Sequence, residues 1–236
     1  RQMCIRDRID GVASTDNTID SNLVGWWKMN GDSDDSSGNS NNGTLGDGST
    51  ASTYPTLTTD RYGVSDKAYS FDGSNDYISV PHNDNLDILE TLTVSCWFNC
   101  SGTLNEKILV EKDTWDGNFL AQLRSNKLAF QSSNFVSATT GTFILGSSIT
   151  SGLNGATTLS TNTWYHYLAT YSKTSSTKSE VKLYLNGILD GHVTNLHGVL
   201  DGDANEALTI GGRTGNTSYN FPGSIDDVRI YNTVLT

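Results

Sequence analysis

Short runs of alternating apolar and polar residues, cut by Gly, Asn and Asp, govern what this chain can become. Successive side chains of a strand point to opposite faces. Thr163–Tyr171 (TWYHYLATY) is the most strand-like run, and Leu92–Asn99 (LTVSCWFN) sets Leu92, Val94, Cys96 and Phe98 against Thr93, Ser95 and Trp97. Further strands are expected at Leu23–Met29, Ala68–Phe71, Asp76–Val80, Lys107–Lys112, Asn118–Arg124, Lys127–Gln131, Phe143–Leu145, Val181–Asn186, Ile188–Leu189, Leu208–Gly211 and Ile225–Tyr231. Asn186-Gly187 is a strong hairpin signal, because both turn positions tolerate positive φ. Ser125-Asn126 reads as a second tight turn, and Pro81 ends the strand before it by removing a ladder donor. No stretch sustains a helical period. The expected class is all-β, a two-sheet antiparallel β-sandwich.

A domain of this size buries enough surface to fold without staples. Arg1–Arg8 (RQMCIRDR) resembles the in-frame translation of a sequencing adapter and is set aside from fold reasoning. Ile9–Asn22 is expected to be a polar leader or linker, and residues 23–236 one domain, part of a larger multidomain chain. The net charge is −11 and no Lys/Arg cluster stands out. That composition argues against nucleic acid and anionic membranes as partners. No apolar run reaches the length of a membrane span. Cys96 and Cys100 lie four apart on one strand face, roughly 13 Å in an extended chain. A disulfide needs its Cα atoms within about 7 Å, so both are expected to be buried thiols.

The last segment, Gly223–Thr236 (GSIDDVRIYNTVLT), carries the sharpest tension. Simple alternation places Asp226 with Val228 and Ile230 on the more apolar, inward face. Ile225, Asp227, Arg229 and Tyr231 then share the other. A buried carboxylate must be paired, hydrogen-bonded or metal-bound. The Asn30–Asn42 loop (NGDSDDSSGNSNN) is rich in oxygen donors, so Asp226 and Asp32 are the candidate ligands of a calcium ion, which takes six to eight hard oxygens. The plainer alternative is that Asp226 accepts hydrogen bonds from loop amides. No linear EF-hand pattern is present.

Candidate ligand-binding residues are aromatic and lie in loops, where recognition sites usually sit. Sugars stack on exposed rings and hydrogen-bond to neighbouring amides and carboxylates. Trp115, Asp116 and Asn118 occupy the turn in EKDTWDGN, and Arg213, Asn216 and Tyr219 lie in the long loop before the final strand. The plainer alternative has these side chains capping the edge of the core. Trp26, Trp97 and Trp164 are expected on sheet faces or in the core. No Gly-x-Ser-x-Gly elbow and no Cys/His nucleophile context is present.

Taken together, LVGWWKMNGD, DSSGNSNNGTL, AYSFDGSNDYISVP, LTVSCWF, NTWYHYLATY, VKLYLNGIL, LTIGG and GSIDDVRIYNTVL resemble, in that order, the laminin-G-like, concanavalin A-like jelly-roll family. The resemblance spans Leu23–Thr236. It implies a jelly roll, an extracellular or cell-surface location, and a structural calcium at the Asp226 position joined by backbone carbonyls from the N-terminal region. It also implies a glycan or a cell-surface protein as partner. The family's W-x-H pattern coincides with Trp164-Tyr165-His166, which makes His166 a structural residue. Catalytic relatives carry E-x-D-x-x-E on one strand, whereas Glu106–Glu111 reads EKILVE and lacks the middle acid. The expected function is therefore a non-catalytic recognition module, carbohydrate-binding with a structural calcium. The alternatives are a structural or adhesive protein-binding module and an accessory domain of a larger glycan-active enzyme.

Overall fold

The computed structural model describes residues 20–112, 118–135, 152–200, 205–213 and 217–235. Among these residues two antiparallel sheets of eight and seven strands pack face to face. The larger holds β1 (Leu23–Trp27), β3 (Thr56–Thr58), β4 (Ala68–Asp72), β6 (Thr91–Cys100), β11 (Trp164–Ser175), β12 (Lys178–Leu185), β13 (Ile188–His197) and β15 (Pro222–Tyr231). Its order is β13-β12-β11-β6-β15-β4-β3, with β1 also pairing β15. The smaller holds β2 (Thr44–Leu45), β5 (Ile78–Val80), β7 (Lys107–Lys112), β8 (Phe119–Arg124), β9 (Lys127–Gln131), β10 (Gly152–Asn154) and β14 (Leu208–Ile210). Its order is β10-β9-β8-β7-β14-β5-β2. The expected sandwich is present, and the predicted strands fall within a few residues of those observed, except Ile188–Leu189, which continues to His197, and Phe143–Leu145, which lies outside the described residues.

Alternation explains the core. On β6, Leu92, Val94, Cys96, Phe98 and Cys100 are all at most 1% exposed and join the central cluster. Each apolar side chain buried this fully contributes about 1.5–3 kcal/mol. Cys96 and Cys100 are free thiols, and burial pushes the Cys96 thiol well up. Phe119 stacks with Phe130 and Phe135 with Tyr171, and Phe130 meets Phe135 at a tilt, each pair at 6.2 Å between centroids. That chain of rings runs from the smaller sheet to the larger. Tyr167 Oη donates to the Ala129 carbonyl at 3.0 Å, so its buried hydroxyl is satisfied across the same gap.

Turn chemistry sets the hairpins. Asn186 and Gly187 have φ of 52° and 78°, and Ser125 and Asn126 of 51° and 60°. Both pairs are therefore in the left-handed region that two-residue hairpins require. Three short elements escape the sequence pattern: β2, β3 and β10 are two or three residues long, too short to show a period.

The final strand departs from simple alternation. β15 pairs with β6 along its length, with Asp226 opposite Trp97 and Arg229 opposite Ser95. Two residues, Asp227 and Val228, thus stand against the single Cys96. This is a β-bulge, and Asp227 takes φ 53° to make it. Ile225 and Val228 both enter the core, so the expected grouping of Asp226 with Val228 on the inner face is incorrect. The extra residue turns Asp226 and Asp227 together toward the outer face of the larger sheet.

Candidate functional site

The bulge falls at a junction. Pro222–Ile225 pairs with β4, whereas the stretch from Val228 to Tyr231 pairs with β1. β1 and β4 therefore lie end to end along one edge of β15, and the two aspartates sit where one neighbour gives way to the other. The β3–β4 loop reaches this junction. Asp60 folds that loop on itself, its carboxylate accepting from the Tyr62 and Val64 amides at 2.8 and 2.9 Å. The next residue, Arg61, extends its guanidinium onto the bulge.

An open pocket of about 250 Å³ results. Trp26 and Lys28 line it from β1 and its end, Asp60, Arg61 and Tyr62 from the β3–β4 loop, and Asp226, Asp227 and Arg229 from β15. A second hollow shares Arg61, Tyr62, Asp227 and Arg229 with it and continues over Trp97, His166 and Leu168. Cations and rings interleave: Lys28 Nζ lies 4.1 Å and Arg229 4.6 Å from the Trp26 ring, and Arg61 lies 4.8 Å from Trp97 and 4.7 Å from Tyr62. Such contacts add about 0.5–1 kcal/mol each when exposed and more when desolvated.

The pocket's carboxylates are already engaged. Arg61 Nη1 donates to Asp226 Oδ2, and Arg61 Nη2 lies 3.7 Å from Asp227 Oδ2. Asp227 Oδ1 also accepts from Trp26 Nε1 at 2.7 Å and from Arg229 Nε at 3.1 Å. Burial pushes the Asp226 carboxyl up to about 7; Arg61 opposes this, while Asp227 and Asp60 reinforce it. His166, tilted against Trp97 with centroids 5.0 Å apart, is pulled down to about 4, chiefly by burial and also by Arg61 and Arg229 against Asp227. It is neutral at pH 7, as a structural histidine should be. Arg61 Nε is buried without a hydrogen-bond partner, a condition that costs about 1–3 kcal/mol.

The expected calcium ligands do not come together. Arg61, not Asp32, meets Asp226; Asp32 is exposed and accepts from the Asp34 amide at 3.2 Å. The organiser of the Asn30–Asn42 loop is Asp35, which accepts from the Trp26 and Ser37 amides, the Ser37 hydroxyl and the Asn41 amide at 2.8–3.0 Å. Lys28, Arg61 and Arg229 surround the two bulge carboxylates, so a divalent cation would face three positive charges there. The donor set does not fit calcium at Asp226. Elsewhere His82, Asp84 and Asp87 approach one another, but Lys112 Nζ already lies 3.2 Å from Asp87 Oδ1.

Of the expected ligand-binding residues, Trp115, Asp116 and Asn216 lie outside the described residues. Asn118 is buried at 1% exposure where β8 begins. Arg213 and Tyr219 do meet, with the guanidinium 4.7 Å from the ring. Arg213 is nonetheless committed inward: Nε and Nη2 hold Glu111 Oε2 and Oε1 at 3.0 and 2.7 Å. This pair links the segment after β14 to β7 within the smaller sheet. Arg61, Tyr62, Asp227 and Arg229 were not among the sequence candidates. The adjacent acids of the DDVR stretch were the available signal, since a strand rarely needs two acids in succession.

A family model described as the concanavalin A-like lectin/glucanases superfamily matches residues 72–236. The chain belongs to this superfamily. No curated protein matches it. The binding domain of Paraclostridial Mosquitocidal Protein 1 is similar in structure, with a TM-score of 0.65 and 18% identity over 93% of this chain and 51% of that one. The botulinum neurotoxin serotype D/C VPI 5993 binding domain follows with a TM-score of 0.61 and 13% identity over 93% and 50%. The receptor binding domain of botulinum neurotoxin C/D mosaic serotype gives 0.61 and 18% over 91% and 49%. The chain thus spans about half the length of these solved structures, and at such identities the likeness is one of fold. Among the described residues no helix is long and apolar enough to cross a membrane.

Proposed function

We propose that this concanavalin A-like domain is a non-catalytic recognition module of a secreted or surface protein, and that it binds carbohydrate in the pocket at the β15 bulge. The observation that carries this reading is the pocket itself, where the Trp26 and Tyr62 rings stand beside a dense array of hydrogen-bonding groups. Sugar recognition needs that combination of apolar ring faces and fixed polar partners. The structural neighbours support a binding role, since their names describe binding and receptor binding domains. Hydrolysis is disfavoured by the state of the carboxylates. A glycosidase pair needs one free nucleophile or base and one proton donor, and Asp226 and Asp227 are both held by arginine.

A glycan array with the full chain and a Tyr62→Ala variant tests the proposal. Tyr62 is 56% exposed, so its removal leaves the core intact. Specific glycan signals that weaken at least several-fold in the variant are expected. An array on which wild type and variant both stay at background would refute the carbohydrate reading.

A protein partner is the second reading. Leu57, Tyr62 and Val64 are 39–56% exposed within one β3–β4 hairpin, and a related binding domain has been captured in complex with rat synaptotagmin II.

A further inference from the structure

The bulge pocket looks acidic in sequence, with Asp60, Asp226 and Asp227 all lining it. Its carboxylates, however, are each already engaged within the protein. Asp60 is used by the amides of its own loop, Asp226 by Arg61, and Asp227 by Trp26, Arg229 and Arg61. A sugar hydroxyl entering as a donor must compete with charged or indole donors already in place.

The donors tell the opposite story. The Lys28 ammonium rests on the Trp26 ring at 4.1 Å and has no carboxylate within ion-pair distance among the described residues. Arg61 Nε lacks an acceptor. Asn30, exposed at the rim, adds an amide. Arg61 and Arg229 pair with Asp226 and Asp227, and Asp60 is held by amides of its own loop, so Lys28 is the pocket cation with no carboxylate partner among the described residues. Lys28 and Trp26 are two residues apart and share the outer face, which sets an ammonium directly beside an aromatic platform.

We propose that the pocket selects an acidic sugar, its carboxylate or sulfate ester taken by Lys28 while the sugar ring lies against Trp26 and Tyr62. This rests on the reading of the pocket as a carbohydrate site and names the chemical class within it. The chain's net charge of −11 does not oppose such binding at short range, because charges beyond about 8 Å are screened at physiological salt. The bulge aspartates are then positioning residues that hold Arg61, Arg229 and Trp26 in place.

The test is an NMR titration of the full chain with glucuronate, glucose 6-sulfate, glucose and inorganic sulfate. It is repeated for Lys28→Gln and Lys28→Arg. Both acidic sugars should bind at least tenfold more tightly than glucose, shifting the Trp26 indole and the Arg61 and Asp227 amides. The advantage should vanish in Lys28→Gln and persist in Lys28→Arg, with thermal unfolding of both variants near wild type. Glucose binding as tightly as glucuronate would overturn the acidic class and leave the carbohydrate reading standing. Inorganic sulfate matching glucose 6-sulfate would reduce the site to a bare anion site and overturn the proposal. If no sugar shifts these signals, the inference and the pocket assignment fall together.

Discussion

Trp26 Nε1 donates to Asp227 Oδ1 at 2.7 Å across 201 positions of the chain. The bond joins β1 to β15 beside their backbone ladder, where Trp26 stands opposite Arg229. Trp26→Phe keeps an aromatic ring but removes the N–H together with the five-membered ring of the indole. A hydrogen bond to a charged group contributes about 1.5–3 kcal/mol, and in a domain of this size each kcal/mol moves Tm by about 2–4 °C. Thermal unfolding by circular dichroism should therefore show Trp26→Phe melting roughly 3–12 °C below wild type. An unchanged Tm would mean that the β1–β15 ladder alone ties the chain's ends.

Asp226 makes stability depend on pH in an unusual direction. Its folded carboxyl is raised from 3.8 to about 7, first by burial. The folded state therefore holds the proton more tightly than the unfolded chain between these values. Its stabilising contribution is complete below about pH 4 and is lost as pH rises through about 7. In urea titrations at pH 4.5, 6 and 8, the stability of wild type minus that of Asp226→Asn should fall by roughly 2–4 kcal/mol over the range and level off above it. The opposite slope would show that Arg61 outweighs burial.

Arg213 is expected to matter for folding and not for ligand. Both it and Glu111 have side chains 8% exposed, and they meet through two contacts. Removing one partner of a buried pair leaves the other charge uncompensated and costs about 3–5 kcal/mol. Arg213→Ala should lose that much in urea denaturation. The double variant Glu111→Leu/Arg213→Met should recover most of it, because neither charge then remains. Sugar affinity of the double variant should equal that of wild type.

The sandwich was legible because long strands advertise themselves: on β6 the period-two pattern maps directly onto burial. The I′-compatible pairs Asn186-Gly187 and Ser125-Asn126 were equally plain. The bulge was not. Nothing in GSIDDVRIY marks which residue is extra, and one inserted residue reverses the faces of all that follow. The tie between the chain's ends was anticipated, but as an ion held by loop oxygens. Arg61, 165 residues from Asp226, had no local signal at all, since its role depends on β1 and β4 sharing one edge of β15.

That arrangement bears directly on calcium. A divalent cation at Asp226 would have to displace the Arg61 guanidinium and then lie among Lys28 and Arg229, with Asp227 already accepting two donors. A ligand that binds only the native state raises stability as RT ln(1 + [L]/Kd), so any calcium held by Asp226 must appear as a Tm difference that the residue controls. We expect the difference between millimolar calcium and excess EDTA to be the same for wild type and Asp226→Asn. A calcium-dependent rise present in wild type and absent in the variant would instead place the ion at the bulge and require Arg61 to swing away. Arg61→Gln separates the two cases further. With the guanidinium gone, two carboxylates face the junction without their shared counter-ion, and a calcium response should emerge there that the native protein lacks.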